Sequence, residues 1–373
     1  MSISKHLFKF QTLFLASIPA SVIAVASTSA QAAGLSFSGM YVFGDSLSDT
    51  GNTFAVTEPL TQPPLDLLSF PIPPAEIPTP SGPLEIGYYN GRFSNGEIWI
   101  DFLADKLALP GQPVSFAFTG ATTGTQNTSI PGLLPGVTQT IQSFTSNFPN
   151  ADPDALYVIW AGANDYLGGI PNLDPLDPVG QPVQNIVNAI TDLAGVRAKN
   201  ILVANLPDIG RAPLVTEQGE SALVSSLVGL HNTRLAEALA VLEPSLSGSG
   251  VNLIPLDVFS FVNAAYSNPA DFGFENVTDA CLYPSPILYI PPPSLPTRCA
   301  NPDQYLYWDS LHPSSRSHEF IADLAYQTIK AEAIPEPTTA LGLAAAFFGG
   351  AGYRKRQRRR ASTSLLTQPS EKA

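Results

Sequence analysis

The sequence predicts an α/β domain with a largely parallel sheet, because short apolar runs alternate along the chain with longer amphipathic stretches. The apolar runs have the length of single strands, and they lie at 39–43, 155–160, 200–204 and 251–258. The sequence contains no internal repeat, so a solenoid or a propeller is not supported.

Three amphipathic stretches predict helices, at 97–107, 221–242 and 314–330. In each of them, apolar side chains recur roughly every three or four residues and should form one buried face. The predicted buried faces are Ile98, Phe102, Leu103 and Leu107 in the first helix, Leu223, Leu227, Leu230, Leu235 and Leu242 in the second, and Phe320, Ile321, Leu324 and Thr328 in the last.

Two stretches interrupt this pattern. Residues 57–86 are rich in proline, and so long an insert in a compact domain is usually a functional loop or a disordered one. We expect this insert to shape a ligand pocket. Residues 167–184 form a second, smaller insert that is rich in proline and glycine.

The composition indicates a globular protein, since 44% of the 373 residues are hydrophobic and 13% are charged. The formal net charge is -13, although both ends of the chain are basic. Residues 33–334 alone carry 9 Lys and Arg against 29 Asp and Glu, a net charge of -20. This acidity argues against nucleic acid as a partner, because phosphate binding needs a basic surface, and it disfavours an anionic substrate.

The first 32 residues have the pattern of a secretory signal peptide. Lys5 and Lys9 precede an apolar run at 13–26, and residues 30–32, Ala-Gln-Ala, form a cleavage site of the small-x-small type. A transmembrane anchor is the alternative for this segment.

The predicted export bears on the oxidation state of the two cysteines. An oxidising compartment permits a disulfide between Cys281 and Cys299, which would clasp the proline-rich loop between them. That loop should form neither helix nor sheet easily. Two cysteines without His partners at matching spacing do not predict a zinc site, and no metal is expected.

The candidate nucleophile is Ser46, which directly follows the first predicted strand. Open α/β sheets bind their ligands at this end of the strands, although Gly-Asp-Ser is also an ordinary turn sequence. A nucleophilic serine needs a base. Of the four histidines, His6 leaves with the signal peptide, His231 lies inside a predicted helix and should be partly exposed, and His318 has no carboxylate shortly before it.

The remaining histidine, His312, follows Asp309 by three residues. A carboxylate at this spacing can reach Nδ1 of the ring, fix its tautomer and stabilise the imidazolium that forms when the serine proton is taken. Pro313 keeps His312 out of the helical region and lets the last helix begin just after it. A plain surface Asp-His pair is the alternative interpretation.

Catalysis at a serine also needs N–H donors for the developing oxyanion. Asn164 follows the strand that ends at Trp160, so its side-chain amide should emerge beside Ser46. The loop 119–124 offers the N–H of Gly120, where the absence of a side chain allows a close approach to substrate. Each loop taken alone is also an ordinary turn.

Four segments in this order resemble the GDSL (SGNH) esterase/lipase family: Gly-Asp-Ser-Leu at 44–47, Gly120, Gly-x-Asn-Asp at 162–165 and Asp-x-x-His at 309–312. The flanking segments 90–96 and 301–303 are similar to the larger esterase/lipase branch of that family. The Gly-x-Ser-x-Gly elbow of the α/β-hydrolases does not occur in the sequence.

The resemblance implies a flavodoxin-like three-layer α/β/α sandwich with a mainly parallel sheet, the SGNH hydrolase fold, as a single catalytic domain at 33–334. By position, Ser46 would be the nucleophile, Asp309 and His312 would complete the triad, and the oxyanion hole would consist of the N–H groups of Ser46 and Gly120 with the Asn164 side chain. Many relatives have Gly-Gly where this chain has Thr-Gly at 119–120. No cofactor is implied.

The expected function is hydrolysis of carboxylic esters through an acyl-serine intermediate. Three alternatives stay open: an acyltransferase on the same triad, a deacetylase of matrix polysaccharide, and a matrix protein without activity. The intact set of Ser46, Asn164, Asp309 and His312 disfavours the last of these.

The C-terminus resembles a PEP-CTERM sorting signal at 335–360, with Pro-Glu-Pro at 335–337, an uncharged run at 338–353 and a basic cluster at 354–360. Such a signal implies a bacterium with an outer membrane, delivery to the cell surface or extracellular matrix, and an exosortase-like protease that removes the segment after transient membrane association. A lasting membrane anchor is the alternative. Residues 361–373 should form a disordered tail.

Overall fold

The computed structural model describes residues 36–332, apart from 66, 70, 78, 80, 168–172 and 287–293. The predicted signal peptide at 1–32, the sorting signal at 335–360 and the tail at 361–373 lie outside the described residues.

A five-stranded parallel sheet forms the centre of this part of the chain. Its strands are β1 (Met40–Gly44), β4 (Val114–Ser115), β5 (Leu156–Trp160), β6 (Asn200–Ala204) and β7 (Asn252–Leu256). They lie side by side in the order β4-β1-β5-β6-β7, and every pairing is parallel. Counted along the chain this is the order 2-1-3-4-5 of flavodoxin-like folds, whose ligands bind outside the carboxyl ends of the strands.

Alternation along the strands sends side chains into two separate cores. In β5, Leu156, Val158 and Trp160 join one core, and Tyr157 and Ile159 join the other. All five are at most 1% exposed. Burial on both faces explains why these strands are uninterrupted apolar runs in the sequence.

Helices cover both faces of the sheet. One face packs against α2 (Trp99–Lys106), α8 (Val258–Ser267) and α10 (Ser315–Glu332), and the other against α3 (Val137–Asn147), α5 (Gly180–Gly195) and α7 (Ser221–Gly248). In α5 the buried residues Val183, Ile186, Ile190 and Leu193 recur at helical spacing. The predicted three-layer α/β/α sandwich is confirmed.

The remaining elements are short and belong to the connections. Four are helices: α1 (Asn52–Thr57), α4 (Ala163–Leu167), α6 (Pro213–Glu217) and α9 (Pro269–Phe272). Six strands form three two-stranded pairs: β2 (Glu76–Ile77) with β3 (Leu84–Glu85), β8 (Asn276–Ala280) with β11 (Tyr305–Tyr307), and β9 (Leu282–Tyr283) with β10 (Thr297–Arg298).

The four predicted strands are confirmed with bounds that shift by one or two residues. The last one ends at Leu256 because Asp257 caps α8, where its side chain accepts the N–H of Ser260 at 3.1 Å. Strand β4 was not predicted. Its two residues are too few to carry a periodic signal.

The predicted buried face of α7 is partly wrong. Leu223 is 50% exposed and Leu230 is 41% exposed. The inner face instead runs through Val224, Leu227, Val228, His231, Leu235, Leu239 and Leu246, a stripe that includes valines and one histidine. The helix also continues past its predicted end to Gly248, with Pro244 inside it.

The last helix is also rotated relative to its predicted face. Ile321 is buried as predicted, whereas Phe320, Leu324 and Thr328 are only half-buried. The fully covered side of α10 consists of Ser317, His318, Ile321, Ala322, Ala325 and Ile329. Small side chains on this side let α10 pack closely against its neighbours, and a search for large apolar residues overlooks them.

The proline-rich insert 57–86 has structure of its own. A 3-10 turn at 58–61 and the hairpin of β2 and β3 lie within it, and the Thr57 hydroxyl accepts the N–H of Ile72 at 2.9 Å. Ile72, Ile77 and Ile86 are buried. In the second insert, helix α5 begins at Gly180.

A disulfide joins Cys281 to Cys299, as predicted. The segment between them was expected to avoid sheet structure, but its two ends pair as β9 and β10 next to the bond. Cys281, Leu282 and Trp308 pack with Ile77, Ile86 and Tyr88 into one small apolar cluster, which we call the clasp cluster. The proline-rich insert and the disulfide hairpin are therefore packed against each other.

No helix among the described residues combines the length and the apolar character needed to cross a bilayer.

Loss of the disulfide should destabilise the fold. The bond closes a loop with a sequence separation of 18 residues, and a crosslink of this length stabilises by about 3 kcal/mol in the chain-entropy model. The Cys281→Ala/Cys299→Ala double variant should show this loss in urea unfolding followed by circular dichroism. Reduced wild-type protein is the matched control and should unfold with the variant; equal stability of the oxidised protein and the variant would contradict the prediction.

Candidate active site

Ser46 begins a 3-10 turn that follows β1 directly. Asp45 caps this turn, where its side chain accepts the N–H of Leu47 at 3.0 Å. The turn ends the strand abruptly and presents the Ser46 hydroxyl at the carboxyl edge of the sheet. Ser46 is 6% exposed.

The structure brings Ser46, His312 and Asp309 into one hydrogen-bonded chain. Nε2 of His312 lies 2.9 Å from Oγ of Ser46, and Nδ1 lies 2.8 Å from Oδ2 of Asp309. Ser46 and His312 are 266 residues apart in the sequence. Asp309 is fully buried and His312 is 2% exposed, which removes the alternative of a plain surface pair.

Side chains of segment 90–96 hold the turn that carries His312 and the residues that follow this turn. Ser94 donates to the carbonyl of Pro313 at 3.0 Å, and the Asn95 side chain accepts the N–H of Ser315 at 2.9 Å. The ring of Phe93 packs against the imidazole with 5.2 Å between ring centres. Segment 90–96 therefore supports the turn of His312, a role that was not predicted from the sequence.

The loops that carry Asn164 and Gly120 contact each other. The Asn164 amide donates to the carbonyl of Ala121 at 3.1 Å, so the two loops touch directly. Gly120 has a φ of +70°, and a Cβ placed there would lie 2.4 Å from the N atom of Ser129. Only glycine fits this position. Among the described residues, no acceptor takes the backbone N–H of Ser46 or of Gly120.

Two further contacts fix the Gly120 loop, and neither was predicted from the sequence. Asp165 accepts both the backbone N–H of Thr123 at 2.9 Å and its hydroxyl at 2.8 Å. Asp49 accepts the hydroxyl of Thr53, and that hydroxyl accepts the N–H of Thr119 at 3.0 Å. The loop is thus tied to the turn that follows β1 on one side and to the Asn164 loop on the other.

The pKa values of two carboxyl groups of the site shift in opposite directions, although burial acts to raise both. Burial raises the pKa of Asp45 to about 7, although the N–H of Leu47 and the imidazole of His312 counteract part of this. Burial also acts to raise the pKa of Asp309, but the imidazole of His312 and the hydroxyl of Tyr88 outweigh it and hold that pKa below its usual value. Asp309 is therefore anionic at neutral pH.

The two other described histidines are buried. His231 was predicted to be partly exposed but is fully buried, where Nδ1 lies 2.7 Å from the hydroxyl of Tyr166 and burial lowers its pKa to about 4. His318 is 1% exposed, and burial lowers its pKa to about 3. Neither ring contacts Ser46, so His312 is the base candidate that the geometry supports.

A pocket opens beside Ser46, Asn164 and His312. Most of its remaining wall is apolar and consists of Leu167, Ile209, Ala212, Val258, Phe261, Val262, Leu306, Leu311 and Ile321, among others. No described residue of 57–86 lines this pocket. The expectation that this insert shapes the pocket is therefore wrong, because the insert packs into the clasp cluster instead.

Within the described residues, no three His, Cys, Asp or Glu side chains are grouped closely enough to hold a metal ion.

Sequence comparison finds relatives that include an acyltransferase and an esterase/lipase. The chain is 29% identical over 256 residues to a phosphatidylcholine-sterol acyltransferase of Aeromonas hydrophila, covering 66% of this chain and 65% of that one. It is 26% identical over 336 residues to a GDSL esterase/lipase of Arabidopsis thaliana, covering 77% and 88%. The chain spans only 51% to 65% of the length of three of its relatives.

Among solved structures, an aryl esterase of M. smegmatis is 16% identical, with 78% of this chain and 98% of that one covered and a TM-score of 0.39. The family model described as GDSL-like Lipase/Acylhydrolase matches residues 40–325, a range that contains Ser46, Gly120, Asn164, Asp309 and His312. The chain belongs to the GDSL-like lipase/acylhydrolase family.

Proposed function

We propose that the protein hydrolyses carboxylic esters through an acyl-serine intermediate, with Ser46 as nucleophile, His312 as general base and Asp309 as the partner of the imidazole. The observation that carries this proposal is the hydrogen-bonded chain from Ser46 Oγ through His312 to Asp309. Membership of the GDSL-like lipase/acylhydrolase family supports the reaction class.

In the first half of the reaction, Oγ of Ser46 bonds to the ester carbonyl carbon while its proton passes to Nε2 of His312. The Asp309 carboxylate stabilises the imidazolium that forms. When the tetrahedral intermediate collapses, the bond to the alcohol oxygen breaks and the alcohol leaves with the proton from Nε2. The acyl group stays on Ser46.

In the second half, a water molecule takes the place of the alcohol. Nε2 accepts a proton from the water as its oxygen bonds to the acyl carbon, and the second collapse breaks the bond to Oγ and returns the proton to Ser46. The carboxylic acid is released, and the free enzyme is restored without a cofactor.

We assign the oxyanion hole to the N–H groups of Ser46 and Gly120 and to the Asn164 side chain. Both backbone N–H groups lack an acceptor within the described residues, and such donors are available to a developing negative charge. The Asn164 amide has two N–H bonds, and the contact with Ala121 uses one. The contacts of Asp165 and Asp49 would hold these donors in place before substrate arrives.

The apolar pocket supports an ester whose acyl group is longer than acetyl. Its aliphatic and aromatic walls begin beside Ser46 and Asn164, where the acyl part of the intermediate would lie. Each methylene buried there contributes about 0.8 kcal/mol. A polysaccharide deacetylase would leave the apolar wall of the pocket without a ligand. The pocket therefore favours the lipase hypothesis over the deacetylase hypothesis.

The acyltransferase alternative uses the same acyl-serine, with an alcohol in place of water in the second half. It is favoured by one observation, the 29% identity to the Aeromonas hydrophila acyltransferase. Product analysis in the presence of an added long-chain alcohol separates the two, because a transferase forms a new ester at a rate comparable to that of hydrolysis. A matrix protein without activity does not account for the intact triad geometry.

We also propose that the protein is exported and that its C-terminal segment is removed by an exosortase-like protease. The signal-like residues 1–32, the PEP-CTERM-like residues 335–360 and the Cys281–Cys299 disulfide support this, since disulfides persist in oxidising compartments. The uncharged run at 338–353 is shorter than the ~20 residues that span a bilayer, which suits a transient anchor. Mass spectrometry of extracellular protein from the native host should therefore find no peptides beyond about residue 340. Extracellular protein with an intact basic cluster would refute the processing.

The triad should behave as one unit. Ser46→Ala and His312→Ala should each lower kcat by several orders of magnitude, and the double variant should lose little more, because neither residue acts without the other. Steady-state hydrolysis of a p-nitrophenyl ester measures this. Ser143→Ala, on the exposed side of α3, is the matched control and should leave kcat unchanged. Multiplicative losses in the double variant would show that the two side chains act independently.

The Asn164 side chain should act on the transition state. Asn164→Ala should lower kcat by about 100-fold or more with little change in KM, as is typical when one oxyanion donor is removed. Asn188→Ala, on the exposed side of helix α5 and away from the pocket, is the control. A rise in KM at constant kcat would instead make Asn164 a substrate-binding residue.

The pocket should set the preferred acyl length. Across p-nitrophenyl esters from acetate to palmitate, kcat/KM should rise by about fourfold per methylene until the pocket is filled. Ala212→Leu, which places a larger side chain on the pocket wall, should depress the longer esters more than acetate. Ala264→Leu on the exposed side of α8 is the control. A maximum at acetate would favour the deacetylase.

A further inference from the structure

Tyr88 lies outside the four segments that carry the family resemblance, yet it contacts the proposed triad directly. Its hydroxyl donates to Oδ2 of Asp309 at 2.5 Å, across 221 residues of sequence. Tyr88 is 5% exposed. Burial and the charge of Asp309 raise the pKa of Tyr88 well above its ordinary value, so the hydroxyl stays protonated and remains a donor.

The carboxylate of Asp309 depends on few donors. Oδ1 accepts the backbone N–H groups of Leu311 at 2.8 Å and His312 at 2.7 Å. Oδ2 accepts Nδ1–H of His312 and the hydroxyl of Tyr88. Among the described residues, Tyr88 is therefore the only donor to Asp309 from outside its own turn. A buried carboxylate that loses one of its donors loses a large part of its stabilisation.

The position of Tyr88 is fixed by the clasp cluster. Its ring meets that of Trp308 edge to face at 6.0 Å between centres, and Trp308 precedes Asp309 in the chain. The same cluster contains Ile77 and Ile86 of the proline-rich insert and Cys281 of the disulfide hairpin. The proline-rich insert and the disulfide hairpin thus together hold the Tyr88 hydroxyl against the Asp309 carboxylate.

We propose that Tyr88 is a positioning residue of the active site, which holds the Asp309 carboxylate ionised and correctly oriented toward His312. This inference rests on the proposed function of the triad. It gives the proline-rich insert a catalytic purpose in place of the pocket-shaping role predicted from the sequence. The tyrosine touches neither substrate nor the reacting atoms, and it acts only through Asp309.

The test is Tyr88→Phe, which keeps the ring in the clasp cluster and removes only the donor. We expect kcat/KM to fall by about tenfold, the usual effect of losing one hydrogen bond to a charged group, with little change in KM. The loss of a donor makes the Asp309 carboxylate more basic, which favours the protonated form of the Asp309–His312 pair. The acid limb of the kcat/KM profile reports titration of this pair and should therefore move to higher pH. Asp45 and His318 are the other titratable groups that act on His312, and the variant leaves both unchanged.

The matched control is Tyr157→Phe, which removes the hydroxyl that donates to the carbonyl of Asp152 at 2.8 Å on strand β5. Its acid limb should coincide with that of the wild type. A second variant guards against poor folding of Tyr88→Phe: 3,5-difluorotyrosine at position 88 is a stronger donor in the same place. It should move the acid limb the opposite way, to lower pH.

Three outcomes are distinguishable. Shifts of opposite sign in the two Tyr88 variants support the inference. An unchanged acid limb in both overturns it, even if activity falls, because a merely structural residue would lower activity without moving the limb. Full activity of Ser46→Ala would instead refute the proposed triad itself, independently of Tyr88.

Discussion

The buried carboxylate of Asp309 is the constraint on which the rest of the site depends. A charge this far from water is tolerated only when hydrogen bonds replace its hydration, and Asp309 has two backbone donors, an imidazole and a tyrosine hydroxyl. These donors fix the turn 309–312, and the turn fixes the imidazole. Because the imidazole is fixed in this way, its Nε2 lies 2.9 Å from Ser46 Oγ.

The sheet supplies the second half of the geometry. Parallel strands β1 and β5 are neighbours, so the loops that follow them emerge side by side at the carboxyl edge. One of these loops carries Ser46 and the other carries Asn164. The Gly120 loop follows β4 on the opposite side of β1 and is tied to both neighbours through Asp49 and Asp165. Donors held in this way need no rearrangement when charge develops.

The sequence was sufficient to predict the fold and to propose the catalytic side chains. Each of the segments that carry them is an ordinary turn when taken alone, but their order and their positions after predicted strands point to one site. Ser46 and Asn164 follow apolar strands, and Asp309 and His312 are three residues apart. Tyr88 was not predicted, because its partner is 221 residues away and a tyrosine after a proline-rich insert has no local signature. The buried face of α7 was predicted wrongly at Leu223 and Leu230 for a related reason. The inner stripe contains two valines and a histidine besides its leucines, and a search for leucines alone does not find it.

The central claim is that Ser46 carries the acyl group during turnover. The most direct measurement is acid quenching of the enzyme during hydrolysis of a p-nitrophenyl ester, followed by peptide mass mapping. The mass of the acyl group should appear on the peptide that contains Ser46, and fragmentation should place it on that serine. Acylation of a different residue, or continued hydrolysis by an enzyme that never carries an acyl group, would contradict the claim.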